Sequence, residues 1–287
     1  MRYSTISFLT DYGTDDEFVG VVKSVIRSIE PDVTVLDITH AIPPHDVRAG
    51  SLALARAAQY LVPGVVLAVV DPGVGTERRA VAVEVGQGQS ILVGPDNGLL
   101  AAAVGMVGGA DRVVELTNDD YHLPSPGSTF DGRDVFGPVA AHLCAGVDLE
   151  ELGPLVDPTT LQPGMIPLPF EDGEAVAAQV LWIDRFGNAQ LNVGPDDVEH
   201  LGELVRLRFG ERTRIAKRAT SFAELGADVG LVLDSYGLLA VALDRHSAAA
   251  ELSLTTNDEV KIEPLPEDEA PTNGAGPTPV QIDRGPR

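Results

Sequence analysis

Residues able to do chemistry are gathered into a few short segments. Asp11-Tyr-Gly-Thr-Asp-Asp16, Asp71-Pro-Gly-Val-Gly-Thr-Glu-Arg-Arg79 and Asp96-Asn-Gly98 each follow a run of strand-forming residues. In an open α/β sheet, ligands collect beyond the carboxyl ends of the strands, where such loops lie. Helix caps and turns account for single Asp residues equally well, so it is the convergence of three acidic loops that points to a site. Asp71 and Arg78 share one loop stiffened by Pro72, and an arginine there can orient a carboxylate, with an ordinary loop salt bridge as the simpler alternative. Further on, Ser128-Thr-Phe-Asp-Gly-Arg-Asp-Val-Phe-Gly-Pro138 places two acids, an arginine and aromatics ahead of a helix. Asp134 reads as the N-cap of that helix, whereas Phe130 and Asp131 have no local structural role. In the second half, Trp182-Ile-Asp-Arg-Phe-Gly-Asn-Ala-Gln190 sets Asp184, Phe186 and Asn188 around a turn. Asparagine can recognise an adenine edge and aromatics can cover its face, although a bulge or hairpin turn explains Gly187-Asn188 equally well.

Other chemistries find little support. Gly73-Val-Gly75 follows a strand, but Arg78 stands where a dinucleotide fingerprint needs its third glycine, and no Walker sequence occurs. His40, His45, His122, His142, His200 and His246 are scattered and form no metal-ligand pattern. Cys144 is the single cysteine, which rules out an internal disulfide and a Cys-rich zinc site, and its small apolar neighbours point to an inert buried thiol.

The elements that must position these residues are legible from periodicity. Ile6–Thr10, Val33–Ile38, Val65–Val70, Ala80–Val85, Ser90–Val93 and Arg112–Leu116 read as strands. Helices are expected from Phe18, where Phe18, Val21, Val22, Val25, Ile26 and Ile29 form a stripe capped by Asp15 or Thr14 and stopped by Pro31, and over Val47–Leu61, Gly98–Met106 and Val135–Ala145. The alternation predicts an N-terminal α/β domain over 1–165, with a parallel or mixed, mostly parallel, central sheet flanked by helices. A proline-rich stretch from Gly153 to Asp172 marks the expected linker, set at 166–174. Val176–Ile183, Glu203–Phe209, Gly230–Leu233, Leu238–Leu243 and Glu259–Ile262 read as strands of a smaller all-β domain over 175–262, a compact barrel or a sandwich. The composition of 263–287 predicts a disordered tail.

The chain has 287 residues, 43 of them acidic and 20 basic, for a net charge of −23. That charge disfavours sequence-independent binding to nucleic acid or anionic lipid, while 44% hydrophobic residues fit a folded protein. No apolar run approaches the roughly 18–20 residues that span a bilayer, and no signal-peptide pattern precedes Asp11, so a cytoplasmic protein is expected.

Taken in order, Leu9-Thr-Asp-Tyr-Gly-Thr-Asp-Asp, Val70-Asp-Pro-Gly-Val-Gly-Thr-Glu-Arg, Gly94-Pro-Asp-Asn-Gly-Leu-Leu, Thr129-Phe-Asp-Gly-Arg-Asp, Ile183-Asp-Arg-Phe-Gly-Asn and Asp234-Ser-Tyr-Gly resemble the S-adenosyl-L-methionine (SAM) hydroxide adenosyltransferases. These adenosine-forming SAM hydrolases are relatives of fluorinase and chlorinase. The resemblance runs from about Ile6 to Ile262 and implies an α/β domain, a β-barrel-like domain, and a homotrimer with active sites between one subunit's first domain and a neighbour's second. It implies that Asp11 holds the ribose hydroxyls, Asp16 faces the methionine ammonium, Asp184 and Ser235 hold the methionine end, Asn188 and Phe222 frame the adenine, and Phe130 joins the substrate-binding set. Asp71 and Arg78 match two members of the family's water-positioning Asp, Arg and His trio, whereas the third position is Asp131. A planar guanidinium can serve two acids at once, so Arg78 is expected to bridge Asp71 and Asp131.

The implied reaction is in-line attack by water on the ribose 5′ carbon, with no metal or organic cofactor and SAM as the substrate. The alternatives are a SAM- or adenosine-binding protein without catalysis, a metal-dependent hydrolase on the same loops, and a halogenase. The last is disfavoured because halogenating relatives carry Tyr where this chain has Asp71, and fluorinase has a long insertion where this chain has only Gly86-Gln-Gly-Gln-Ser90.

Overall fold

The continuous apolar run at Val65–Val69 becomes the strand that two layers of helix bury. In a computed structural model, which describes residues 3–266, the chain divides into two units at Ile166/Pro167. The first unit contains β1 (Thr5–Thr10), α1 (Phe18–Ile29), β2 (Thr34–Thr39), α2 (Val47–Ala58), β3 (Val65–Val69), β4 (Ala80–Val85), β5 (Ser90–Pro95), α3 (Ala101–Met106), β6 (Arg112–Glu115), α4 (Gly137–Ala145) and β7 (Leu155–Val156). Its sheet runs β2-β1-β3-β5-β4-β6-β7, parallel from β2 to β5 and antiparallel from β5 to β7. Successive side chains of a strand point to opposite faces. Val65, Leu67 and Val69 accordingly join Val22, Ile26, Val139 and Leu143 of α1 and α4. Val66, Ala68 and Val70 join Leu54, Ala103 and Val104 of α2 and α3 on the other face. With both faces covered, β3 keeps no polar alternation, which is why it reads as an unbroken apolar run.

Two caps differ from expectation. Glu17, not Asp15 or Thr14, is the N-cap of α1 and makes no side-chain cap. Asp134 does not cap α4 but lies buried inside a π-helical turn, Gly132–Phe136, closed by the Gly137 N–H bonding to the Gly132 carbonyl. The cause is Pro138: it has no N–H to offer the carbonyl four residues back. That carbonyl, of Asp134, instead accepts from the Leu123 N–H at 2.8 Å.

The segment after Gly153 stays on the first unit because Arg79 fastens it there. Arg79 donates to Asp96 at 2.9 and 2.5 Å and to Thr160 at 3.0 and 2.6 Å, while Asp96 also accepts from the Gln162 N–H at 2.8 Å.

The second unit contains β8 (Phe170–Asp172), β9 (Ala175–Ile183), β10 (Ala189–Leu191), β11 (Leu204–Phe209), β12 (Arg212–Ala219), β13 (Val229–Leu233), β14 (Leu239–Ala242), α5 (Ala248–Leu252) and β15 (Glu259–Pro264). Seven strands close a ring, β9-β10-β14-β13-β12-β11-β15 and back to β9, and β8 adds to the free part of the β9 edge. The expected class, a helix-flanked sheet plus a β-barrel, is the observed one. Within it, β12 escaped the sequence reading because Arg212, Arg214, Lys217 and Arg218 mask its pattern; it is a strand because β11 pairs along its length and β13 takes its other edge. Phe170–Asp172, inside the expected linker, pairs with β9, and Glu263 and Pro264 extend β15. The remainder of the expected tail, 267–287, lies outside the described residues.

Removing one partner of a buried ion pair strands the other charge, so Asp96→Ala is expected to destabilise the first unit by about 3 kcal/mol. Urea denaturation followed by far-ultraviolet circular dichroism checks this, as a lowered midpoint.

Candidate active site

Pairing of β1 with β3 sets Thr10 beside Val69, so Asp11 and Asp71, just beyond, emerge next to each other at the carboxyl edge of the sheet. The end of β3 is held by Asn97, whose side-chain amide donates to the Val70 carbonyl at 2.9 Å. Beneath Asp11, the Thr10 hydroxyl accepts from the Tyr12 N–H and meets His40 Nδ1 at 2.8 Å, and His40 Nε2 meets Asp37 at 3.1 Å. The Asp11 carboxylate itself accepts from the His45 N–H at 2.8 Å, which draws the loop before α2 over the site.

Asp131 arrives from the turn before α4, and its loop is brought close by backbone packing. Gly75, at φ +74°, lies so near Ser128 that a Cβ would sit 2.6 Å from the Ser128 carbonyl oxygen. Gly75, the second of the paired glycines, thus serves a loop-to-loop contact. Across it, Arg78 Nε donates to Asp71 at 3.0 and 3.1 Å, and one terminal nitrogen bonds both Asp71 and Asp131. All three are largely buried, with side-chain exposures of 13% for Arg78, 6% for Asp71 and 16% for Asp131. Burial works against the Arg78 charge, but the hydrogen bonds and charges of Asp71 and Asp131 outweigh it and hold the guanidinium above its ordinary range. Arg78 also lies 5.1 Å from the Phe136 ring centroid.

Asp11, Asp71 and Asp131 line a cavity of 460 Å³ together with Tyr12, Phe18, Phe130 and His45. The three aromatic rings meet edge to face at 5.3–6.0 Å. Gly132 has no side chain because the Tyr12 hydroxyl occupies the place a Cβ would take. Burial, then the charges of Asp11, Asp71 and Asp131, push the Tyr12 phenol far above its ordinary range, so it stays neutral. Arg133, which also lines the cavity, donates to Asp134 at 2.6 and 2.9 Å and lies over Phe130. Asp16 is exposed and does not line the cavity. Asp96, the third acidic loop of the sequence, is taken up by Arg79. Tyr12, His45 and Asn97 were not singled out from sequence; Tyr12 and Asn97 stand inside acidic motifs, which was the only signal.

The second unit has its own concavity, of 550 Å³, lined by Phe186, Asn188, Phe222, Asp244 and His246 among others. Phe186 and Phe222 are exposed. Asp184 organises the turn beside it, accepting from the N–H groups of Phe186 and Asn188 at 2.9 Å each and from the Asn188 side chain at 2.8 Å. Asp234 builds a matching turn, accepting from the N–H groups of Tyr236 and Leu238 at 2.8 and 3.1 Å and from Gln190. Ser235 is exposed in that second turn and does not line the concavity. Elsewhere, burial pushes the Cys144 thiol up to about 12, as suits an inert core residue. Among the described residues no three His, Cys, Asp or Glu side chains are grouped to hold a metal ion, and no helix is long and apolar enough to cross a membrane.

Residues 6–153 match the SAM hydroxide adenosyltransferase N-terminal domain, and residues 178–261 match the C-terminal domain of the same family. The chain belongs to that family. It is 44% identical over 258 residues to the (R)-S-adenosyl-L-methionine hydrolase of Salinispora tropica, covering 90% of this chain and 97% of the relative. A fluorinase from Actinoplanes is 28% identical over 288 residues, covering 90% and 96%. The crystal structure of an uncharacterized conserved protein from Thermotoga maritima superposes with a TM-score of 0.83 at 34% identity, covering 90% of this chain and 99% of that one.

Because the Tyr12 pKa is raised, its proton stays on in the folded state while the unfolded chain loses it near pH 10. The contribution is intact below that pH and turns against folding as pH climbs past it. In an alkaline titration followed by tyrosinate absorbance, wild type and Tyr12→Phe are expected to rise equally until the protein unfolds.

Proposed function

We propose that the protein hydrolyses SAM to adenosine and L-methionine. The observation that carries this reading is the buried Asp71–Arg78–Asp131 group at the wall of an aromatic-lined cavity, in a chain of this family. Water attacks the ribose 5′ carbon in line with the sulfonium. The leaving thioether is neutral and needs no general acid, so the protein has to align water, carbon and sulfur and accept one proton. Asp71 is the proposed acceptor, oriented by Arg78, with Asp131 as a second acceptor or orienter. Asp11 holds the ribose hydroxyls and Phe130 packs against the substrate in the same cavity. On the second unit, Asn188 and Phe222 frame the adenine and Asp184 and Ser235 serve the methionine end; Asp16, on the first unit, faces the methionine ammonium. The two sets of residues meet between neighbouring subunits of a homotrimer, a reading supported by the family resemblance. No cofactor takes part.

Halogenation is the poorer reading, because an anionic Asp71 beside a desolvated halide is electrostatically costly.

Incubation of the protein with SAM, followed by chromatography, is expected to yield adenosine and methionine equally with and without EDTA; loss of activity in EDTA with recovery on a divalent ion would sink the cofactor-free mechanism. Asp71→Asn is expected to lower turnover at saturating substrate by roughly a hundredfold or more, as loss of a positioned base does. Equal turnover in that variant would show that Asp71 is not the base.

A further inference from the structure

Thr39-His-Ala-Ile-Pro-Pro-His-Asp46 carries two histidines that the proposed reaction leaves unused, and both grip the turn bearing Asp11 and Tyr12. The grip begins away from the cavity, where Lys23 of α1 donates to Asp37 at 2.7 Å. Burial works against the Asp37 charge, but hydrogen bonds from Lys23 and His40 hold its carboxyl below the ordinary range. An ionised carboxylate only accepts, so His40 Nε2, 3.1 Å from Asp37, carries the ring proton and Nδ1 is left as an acceptor. The Thr10 hydroxyl, 2.8 Å away, donates to that Nδ1, and its oxygen accepts from the Tyr12 N–H at 3.2 Å. Each donor from the Asp11–Tyr12 peptide outward thus points toward Asp37.

Thr10 is fully buried, His40 is 6% exposed, and the Phe8 ring packs edge to face on the imidazole at 4.8 Å. A buried donor that loses its acceptor keeps the full cost of desolvation, so the chain of bonds holds its geometry firmly. The same loop grips the turn at two further points. The His40 carbonyl accepts from the Gly13 N–H at 2.8 Å, and the His45 N–H donates to the Asp11 carboxylate at 2.8 Å. His45 has φ +68°, in the left-handed region that a residue with a Cβ enters at a cost, and that strained backbone delivers the N–H to Asp11. One loop therefore fixes the peptide that follows Asp11, the backbone of Gly13 and one oxygen of the Asp11 carboxylate.

We infer that His40 is a positioning residue for ribose recognition: through Thr10 it fixes the peptide between Asp11 and Tyr12, and so aims the Asp11 carboxylate at the ribose hydroxyls of the substrate. This rests on the proposed SAM hydrolysis, in which Asp11 holds the ribose. His40 touches neither the substrate nor the reacting atoms, and it moves no proton. Without its Nδ1 the Thr10 hydroxyl is left buried with no acceptor, and the peptide it holds loses its fixed direction. The consequence falls on how well the ribose hydroxyls are recognised, because the Asp71–Arg78–Asp131 group is held by contacts of its own.

The test measures kcat/KM for SAM and for the SAM analogue whose ribose lacks the 2′ hydroxyl, in wild type, His40→Leu, Thr10→Val and Thr10→Ser. Wild type is expected to prefer SAM by about tenfold or more, the effect of one hydrogen bond to a charged group. In His40→Leu and Thr10→Val that preference should fall at least about threefold, mainly through a raised KM for SAM, as the same bond is misdirected. Thr10→Ser keeps the hydroxyl and should keep the wild-type preference. A preference unchanged in both His40→Leu and Thr10→Val overturns the positioning role, even where overall activity or the thermal midpoint drops, since that is the mark of a structural role. Should His40→Leu fail to fold, the isosteric Thr10→Val decides. Wild type that releases no adenosine overturns the hydrolase reading and the positioning role with it, whereas wild type that releases adenosine from both substrates alike overturns the positioning role alone. Independently of turnover, long-range proton–nitrogen NMR of the intact protein should show the neutral His40 ring protonated on Nε2; a proton on Nδ1 overturns the inference.

Discussion

One guanidinium shared by two carboxylates holds the site together. Asp71 leaves the end of β3, Asp131 precedes α4, and the two would repel at close range without a positive charge between them. Arg78 supplies it from the same loop as Asp71, with its planar fork directed to both acids and the Phe136 ring beside it. An exposed pair of this kind contributes little, but all three side chains are largely buried, where breaking either contact leaves a charge uncompensated. The loop conformations on both sides of the contact are therefore tied to each other.

The surrounding fold serves that contact. Parallel pairing brings the ends of β1 and β3 level, and Asn97 ties down Val70, the residue just past β3. Gly75 lets the 71–79 loop approach the backbone at Ser128, and Gly132 makes room for the Tyr12 hydroxyl. The π turn before α4 follows from Pro138, and the carbonyl it frees draws in the loop carrying His122. Each is a local backbone consequence of a Gly, Pro or Asn in the sequence, and together they set three carboxylates and three aromatic rings around one cavity.

Such a cavity suits a sulfonium substrate on electrostatic grounds. Aromatic faces and carboxylates attract a cation, and conversion of sulfonium to neutral thioether removes that attraction from the product side. The second unit offers a different surface, with exposed Phe186 and Phe222 beside Asn188, of the kind a planar base stacks on. Its two matching turns, at Asp184 and Asp234, use their carboxylates to brace the backbone.

Sequence alone determined the α/β sheet and barrel, the positions of most strands, and the motifs that identify the family, because hydrophobic periodicity and acidic loops at strand ends are local patterns. The pairing of Arg78 with both Asp71 and Asp131 was also legible, because the family resemblance set Asp131 beside Asp71 and Arg78 and a planar guanidinium can serve two acids. Tertiary structure decided the rest. Asp134 looked like a helix cap, but a proline four residues later turned it inward; β12 looked like a charged loop until β11 and β13 paired with it. Asp96 looked like part of the site, yet Arg79 and the segment at Thr160–Gln162 claim it. His40 looked like one scattered histidine among six. What it holds is Thr10 and Gly13, and no local pattern encodes a contact made across that distance in the chain.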